Sequence, residues 1–320
     1  MPHKLAIVIP TVGRCAELRR MLASLASQTR LPEQVLIVGK GDGDAGWGSV
    51  FPQLHAEFIS LPSSSICDAR NRGAQAARPD IDLVGFMDDD IVLEAQAVEA
   101  LMNFWERAPN DLGGTGCNLV NYPALHARRL KTLRLTSRLG LYDSRRGIVL
   151  RSGIHTMMPG IQETTYVQWL PTYAVVYSRK VLAQFSFDEW FENYSYLEDL
   201  DLSYRIAKKY KLAIVANARF HHYPSQAGRP TAYLFGKKEV LNRLHFVSKH
   251  SELSRPLCFL ALCFRGLMSI FFGFSRLEPD YFLRAAGNLA AVLSVLRNGI
   301  SQAAYLSPKS QSIRQDLGPE

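Results

Sequence analysis

The chain has 320 residues, 47% hydrophobic and 21% charged, which is material for one large domain or one and a half with a sizeable core, and this composition excludes a disordered chain. Five cysteines, Cys15, Cys67, Cys117, Cys258 and Cys263, make an odd set without a C-x-x-C pair, so neither a disulfide framework nor a zinc knuckle is expected and a reducing cytosol fits. The net charge of +8 is unevenly spread: between Asn121 and Gly160, Arg128, Arg129, Lys131, Arg134, Arg138, Arg145, Arg146 and Arg151 face Asp143 alone, and the rest of the chain is nearly neutral. Two readings fit that excess, an anionic surface or ligand and a solvated helix face. Nucleic acid is not expected, because no zinc finger, RNP-like aromatic signature or helix-turn-helix stands beside it.

In chain order, Leu5 to Ile9 is an apolar run too short for a signal-peptide core and stopped by Pro10, so the chain is expected to begin as a strand. Leu18, Met21, Leu22 and Leu25 recur at helical spacing, Val35 to Val38 reads as a second strand and Glu57 to Leu61 as a third. Ser63, Ser64 and Ser65 start a helix over Ile66 to Ala77, Leu83 to Met87 is a buried strand, and Val98, Leu101, Met102 and Trp105 mark another helix. Continuous apolar strands alternating with amphipathic helices predict an α/β fold with a mostly parallel sheet flanked by helices. A helix carrying Leu202, Ile206 and Ala207 on one face and a strand at Leu212 to Ala216 follow.

Ligands of such open sheets bind beyond the carboxyl ends of the strands, which puts Pro10, Thr11, Gly39 to Asp44 and Asp88 to Asp90 around one crevice. A divalent ion bound through one or two carboxylates plus substrate phosphates suits the D-x-D of Asp88 and Asp90, while a solvated turn with a helix-capping Asp suits the same residues. Glu198, Asp199 and Asp201 open a helix, where acids complement its dipole. Asp188, Glu189, Trp190, Phe191, Tyr194 and Tyr196 just before them combine aromatic faces with hydrogen-bond acceptors, as sugar sites do; Trp169, Tyr173 and Trp190 are the aromatics assigned to an acceptor.

Val8-Ile9-Pro10-Thr11, Ala69-Arg70-Asn71-Arg72-Gly73, the D-x-D, the E-D-x-D-L run at Glu198 to Leu202 and His221-His222, in this order over roughly Lys4 to Tyr223, resemble the inverting family 2 glycosyltransferases of GT-A fold, such as bacterial glycan-assembly rhamnosyl- and glycosyltransferases. The resemblance implies a nucleotide-sugar donor held by Pro10, Thr11, Arg14, Asp44, Arg70, Asp88 and Asp89, and a Mn2+ or Mg2+ ion held by Asp90 with Asp88 and His221. Neighbours on a strand point opposite ways, so at most one of His221 and His222 should reach that ion. It further implies Asp199, with Glu198 as the alternative, as general base for one sugar transfer to a hydroxyl of a glycan or lipid-linked acceptor in cell-surface polysaccharide assembly. Two departures stand out: Gly39 and Lys40 replace the family's acid after the second strand, and Gln226 to Pro230 lacks the tryptophan of processive polymerases. A sugar-phosphate nucleotidyltransferase and a non-catalytic nucleotide-sugar-binding scaffold are the alternatives.

The chain is expected to divide into a catalytic domain over 1–225, with a basic insertion or acceptor region at 121–168, and a helical region over 226–320. Leu257 to Phe274 is almost wholly apolar around Arg265, and Ala285 to Leu296 is apolar around Asn288. A central arginine costs about 2.5–3.5 kcal/mol on insertion scales, so a helix pair lying in the membrane interface is expected rather than a crossing one. With the stretch Arg128 to Arg138, whose Leu130 and Leu133 share a helix face, this predicts a cytoplasmic protein attached peripherally to the anionic inner face of the cytoplasmic membrane.

Overall fold

The apolar runs of the first third fold as parallel strands. In the computed structural model, which describes residues 2–40, 46–62, 65–122, 137, 140–191, 196–225 and 229–305, they are β1 (Leu5–Thr11), β2 (Gln34–Lys40), β3 (Ala56–Leu61) and β4 (Leu83–Met87). Buried on both faces, β1, β2 and β4 carry almost no polar side chain, as strands between two helical layers require. Helices α1 (Cys15–Ala26), α2 (Ile66–Ala76) and α3 (Ala97–Trp105) connect or follow them. Ser65 caps α2, its Oγ accepting from the Asp68 N–H at 3.4 Å.

The rest of the sheet is built from β5 (Ile91–Leu93), β6 (Leu112–Leu119), β7 (Thr165–Val167), β8 (Ala174–Ser178) and β9 (Lys211–His222). Among the described residues the order is β3-β2-β1-β4-β8-β6-β9-β5, with β7 on β9. Pairing is parallel from β3 through β4 and mixed beyond, because β8 runs antiparallel to both β4 and β6. The carboxyl ends of β1 and β4 therefore open where β8 reverses, and Asp88 stands there with its N–H donating to Tyr173 O at 3.0 Å.

The chain divides into two compact units: residues 1–129, 144–149 and 155–228 form one, and 130–143, 150–154 and 229–320 the other. The first holds the sheet and α4 (Glu198–Ala207). The second holds α5 (Ala232–Ser248), α6 (Arg255–Arg276) and α7 (Pro279–Tyr305), the last interrupted at Gly299, whose φ is 73°. Gly236 of α5 and Gly287 of α7 let these helices touch backbone to backbone, since an added Cβ at either would run into the carbonyl of Arg284 or Tyr233. Among the described residues α6 is the helix whose length and composition would allow it to cross a membrane. Arg128, Arg129, Lys131, Arg134 and Arg138, on which the basic docking stretch rests, lie outside the described residues.

Candidate active site

Two acidic clusters more than a hundred residues apart meet on one buried arginine. Arg70, 2% exposed on α2, donates from Nη1 to Glu198 Oε1 at 2.9 Å and from Nη2 to Asp88 Oδ1 at 3.0 Å. Phe187 lies beneath, its ring centre 5.3 Å from the guanidinium carbon. The segment bearing Phe187 is clasped to α2 by Asn71, whose Nδ2 donates to Phe187 O at 3.0 Å and whose Oδ1 accepts from Phe187 N at 2.9 Å. Arg70 is thus committed to protein carboxylates rather than turned toward a donor phosphate, because burial leaves it no route to solvent. It works as the brace that joins the two clusters.

Chain direction into α4 is set by Leu197, a buried non-glycine residue with φ 75°. Such a conformation costs of order 1–3 kcal/mol and persists where surrounding packing dictates it. It delivers Glu198 inward to Arg70 and leaves Asp199 half-buried beside it. Burial first and the neighbouring Glu198 second push the Asp199 carboxyl up to about 7, against the Leu200 N–H, which donates to Asp199 Oδ1 at 2.7 Å, and against Arg70. Asp201, one turn in, is held by Arg205 at 2.9 Å. Arg205 also donates to Ser186 O at 2.7 Å, so both serve the local structure.

The acidic triplet splits into three environments. Burial raises Asp88, opposed by Arg70 and reinforced by Asp90. Asp89 is fully buried and structural: Thr11 Oγ1 donates to its Oδ2 at 2.7 Å, Arg14 contacts it at 2.6 and 3.1 Å, and burial still lifts its carboxyl to about 6 against those partners. Asp90 is the reverse, for although burial acts to raise it, the His222 ring, the Ser225 N–H and Arg14 together hold it below the ordinary aspartate value. Pro10 sits in β1 opposite Val38, and Asp44 lies outside the described residues.

His222, not His221, meets the triplet. Pairing of β5 with β9 sets Ile91 opposite His222, and His222 Nε2 lies 3.1 Å from Asp90 Oδ1. Alternation sends His221 to the other face, where its Nε2 lies 3.2 Å from Glu94 Oε1. Tyr173 packs on His222 with ring centres 4.7 Å apart and planes tilted by 30°, and burial followed by the Asp199 and Asp88 charges raises its phenol. Trp169 is corrected too: it is 2% exposed, with Nε1 donating to Thr156 O at 3.0 Å and its ring on His155, so it packs in the interior and offers no face to a sugar. Trp190 is half-buried against Phe191.

Among the described residues no three His, Cys, Asp or Glu side chains form a ready metal cage. The donors present nonetheless fit a divalent ion that draws most of its ligands from a substrate: Asp88 and Asp90 offer oxygen and His222 nitrogen.

The glycosyl transferase family 2 model matches residues 6–162, from β1 through the D-x-D and beyond β6. The chain carries a family 2 glycosyltransferase domain. A search of curated protein sequences finds no match. Similar solved structures include S. aureus TarS 1–349, at 14% identity and TM-score 0.51 over 99% of this chain and 93% of that one, and the same fragment in complex with UDP-GlcNAc, at 16% identity and TM-score 0.51 over 98% and 92%. The mannosyltransferase PcManGT from Pyrobaculum calidifontis, solved with GDP-Man and Mn2+, aligns at 14% identity and TM-score 0.52 over 98% of this chain and 83% of that chain. At these identities the structures establish the GT-A fold of this glycosyltransferase and nothing of its substrates.

Proposed function

We propose that this glycosyltransferase moves one sugar, with inversion, from a nucleotide-sugar donor to a hydroxyl of a glycan or lipid-linked acceptor in cell-surface polysaccharide assembly. The observation that supports the reading is the Arg70 brace, on which Asp88 of the D-x-D and Glu198 of the Glu198-Asp199 pair close together, near the carboxyl ends of β1 and β4. The residues of that site divide the chemistry. Asp199, raised to about 7, is suited to accept a proton near neutral pH, and the Leu200 N–H fixes its orientation by holding Oδ1. In the transfer, the acceptor oxygen bonds to the anomeric carbon as the bond from that carbon to the diphosphate oxygen breaks. The hydroxyl proton passes to Asp199. Attack from the face opposite the diphosphate inverts the anomeric configuration in a single displacement.

Asp90, Asp88 and His222 would hold Mn2+ or Mg2+, which when bound supplies charge neutralisation to the leaving diphosphate. Thr11 and Arg14 keep Asp89 in place and so fix the backbone from which Asp88 and Asp90 project. Tyr173, half-buried between His222 and the two acidic clusters, and Trp190 remain the aromatics assigned to the sugars. The five free cysteines accord with the cytoplasm as the compartment.

Incubation with a panel of UDP-, GDP- and dTDP-sugars and Mn2+ tests the reading. Slow release of nucleoside diphosphate from one donor is expected. Pyrophosphate formation from a nucleoside triphosphate and a sugar phosphate would make the protein a nucleotidyltransferase instead, and saturable binding without turnover of any donor would make it a scaffold.

A further inference from the structure

The helical unit turns its apolar residues outward. On α6, Leu267, Phe271 and Phe274 stand four and three residues apart on one side, with Phe274 70% exposed. The opposite side, spaced 258, 262, 265 and 269, is buried or paired. On α7, Leu289, Leu293 and Leu296 repeat the pattern, and Asn288 and Ala291 face in. Leu277, at the turn between the helices, is 85% exposed. Phe274 of α6 meets Phe282 of α7 with ring centres 4.9 Å apart, so the two stripes join near the turn, and exposed apolar surface of this kind marks a place of contact.

Two observations identify what contacts it. The first is the fate of Arg265. It points inward to Glu239 of α5, a fully buried carboxylate that Arg265 meets at 2.6 Å and Arg284 at 2.8 Å, with Asn288 Nδ2 at 3.2 Å. Burial acts to raise Glu239, yet the two arginines and Asn288 bring its carboxyl down to about 2, so the cluster stays ionised and closed. The cost that a central arginine imposes on α6 is thereby removed from the outer side without the helix having to cross. The inner sides of α6 and α7 pack instead on α5, which carries Lys237, Lys238 and Arg243. Hydrocarbon can reach one side alone, the condition for lying in an interface.

The second observation is charge. Among the described residues the unit formed by 130–143, 150–154 and 229–320 contains eleven Lys and Arg against five Asp and Glu, whereas the sheet-bearing unit contains nineteen of each. The net positive charge of the described residues therefore falls on the unit with the apolar face. Within it Arg151, Lys249 and Arg255 line a cavity of about 700 Å³ at the start of α6. Apolar and cationic surface on one unit matches the headgroup region of an anionic bilayer.

We propose that the outer sides of α6 and α7 form a docking face that lies in the plane of an anionic phospholipid bilayer. The inference deepens the reading of a lipid-linked acceptor and rests on it for its purpose, but it is measurable without donor or acceptor. The full chain is floated with vesicles of phosphatidylcholine alone or mixed with phosphatidylglycerol. Binding about tenfold or more tighter to the anionic vesicles is expected, and Leu267→Glu/Phe271→Glu/Phe274→Glu should lower the partition coefficient about 100-fold or more while nucleoside diphosphate release in solution stays unchanged. Phe271→Trp, a milder change, reads depth: quenching by lipids brominated near the headgroup is expected, and stronger quenching by lipids brominated at the bilayer centre would overturn an in-plane face. Absence of vesicle binding would also overturn it, and sedimentation showing that the triple change abolishes a dimer would assign the face to a second copy of the chain.

Discussion

Replacing Arg70 by methionine removes the cation on which both acidic clusters close while keeping most of the volume against Phe187. Breaking a buried ion pair by deleting one partner costs about 3–5 kcal/mol, since the remaining charge is left without compensation. Asp88, whose side chain is 20% exposed, can hydrate, so the burden falls on Glu198, 9% exposed. The expected loss is therefore about 3–5 kcal/mol at pH 7, a fall in Tm of about 6–20 °C for a unit of this size. Urea unfolding at pH 7 measures it. A loss below about 1 kcal/mol would refute the claim that Arg70 compensates buried negative charge.

His222→Ala should weaken Mn2+-dependent donor binding at least about tenfold by calorimetry, and His221→Ala, which loses only the contact to Glu94, should leave it within about twofold. The kcat profile should rise through an acid limb near pH 7, because Asp199 must be ionised to accept a proton; in a variant at Arg70 that retains activity, loss of the nearby positive charge moves the limb to higher pH. The same raised carboxyl means that the folded state holds the proton more tightly than the unfolded one, so this group favours folding below the unfolded pKa and loses that contribution as pH climbs through about 7. Thermal melts of Asp199→Asn should accordingly gain on the parent protein as pH goes from 5 to 8, and no relative gain over that range would contradict the shift.

Much of the sheet was legible because its N-terminal strands are buried on both faces and hence apolar without interruption, as in Leu5 to Ile9 and Leu83 to Met87. The strand β6 was not. Its sequence, Leu-Gly-Gly-Thr-Gly-Cys-Asn-Leu, has glycines where a Cβ on Gly114 would sit 2.5 Å from the Tyr177 ring and one on Gly116 2.6 Å from Ile214, so long-range packing dictates them and local propensity conceals the strand. Strand β8 was missed as well, and with it the antiparallel turn that makes the sheet mixed.

At the site, the spacing of acids showed both clusters, whereas Arg70 read as a phosphate ligand because its depth depends on helix packing that sequence does not display. The choice between His221 and His222 likewise needs the register of β5 on β9. Alternation alone says that one of them faces the triplet, without saying which. Trp169 looked like a sugar platform for want of knowing that its ring closes on His155 inside the molecule.

In the proposed transfer Asp199 acts in the chemical step while the donor is held elsewhere in the site. Paired measurements on Asp199→Asn, donor affinity by calorimetry and transfer rate at saturating donor, test this directly. The expected result is donor affinity within about threefold of the parent protein and a transfer rate lower by about 10²–10⁴. Transfer at the parental rate, or a loss of donor affinity that accounts for the whole fall in rate, would contradict it.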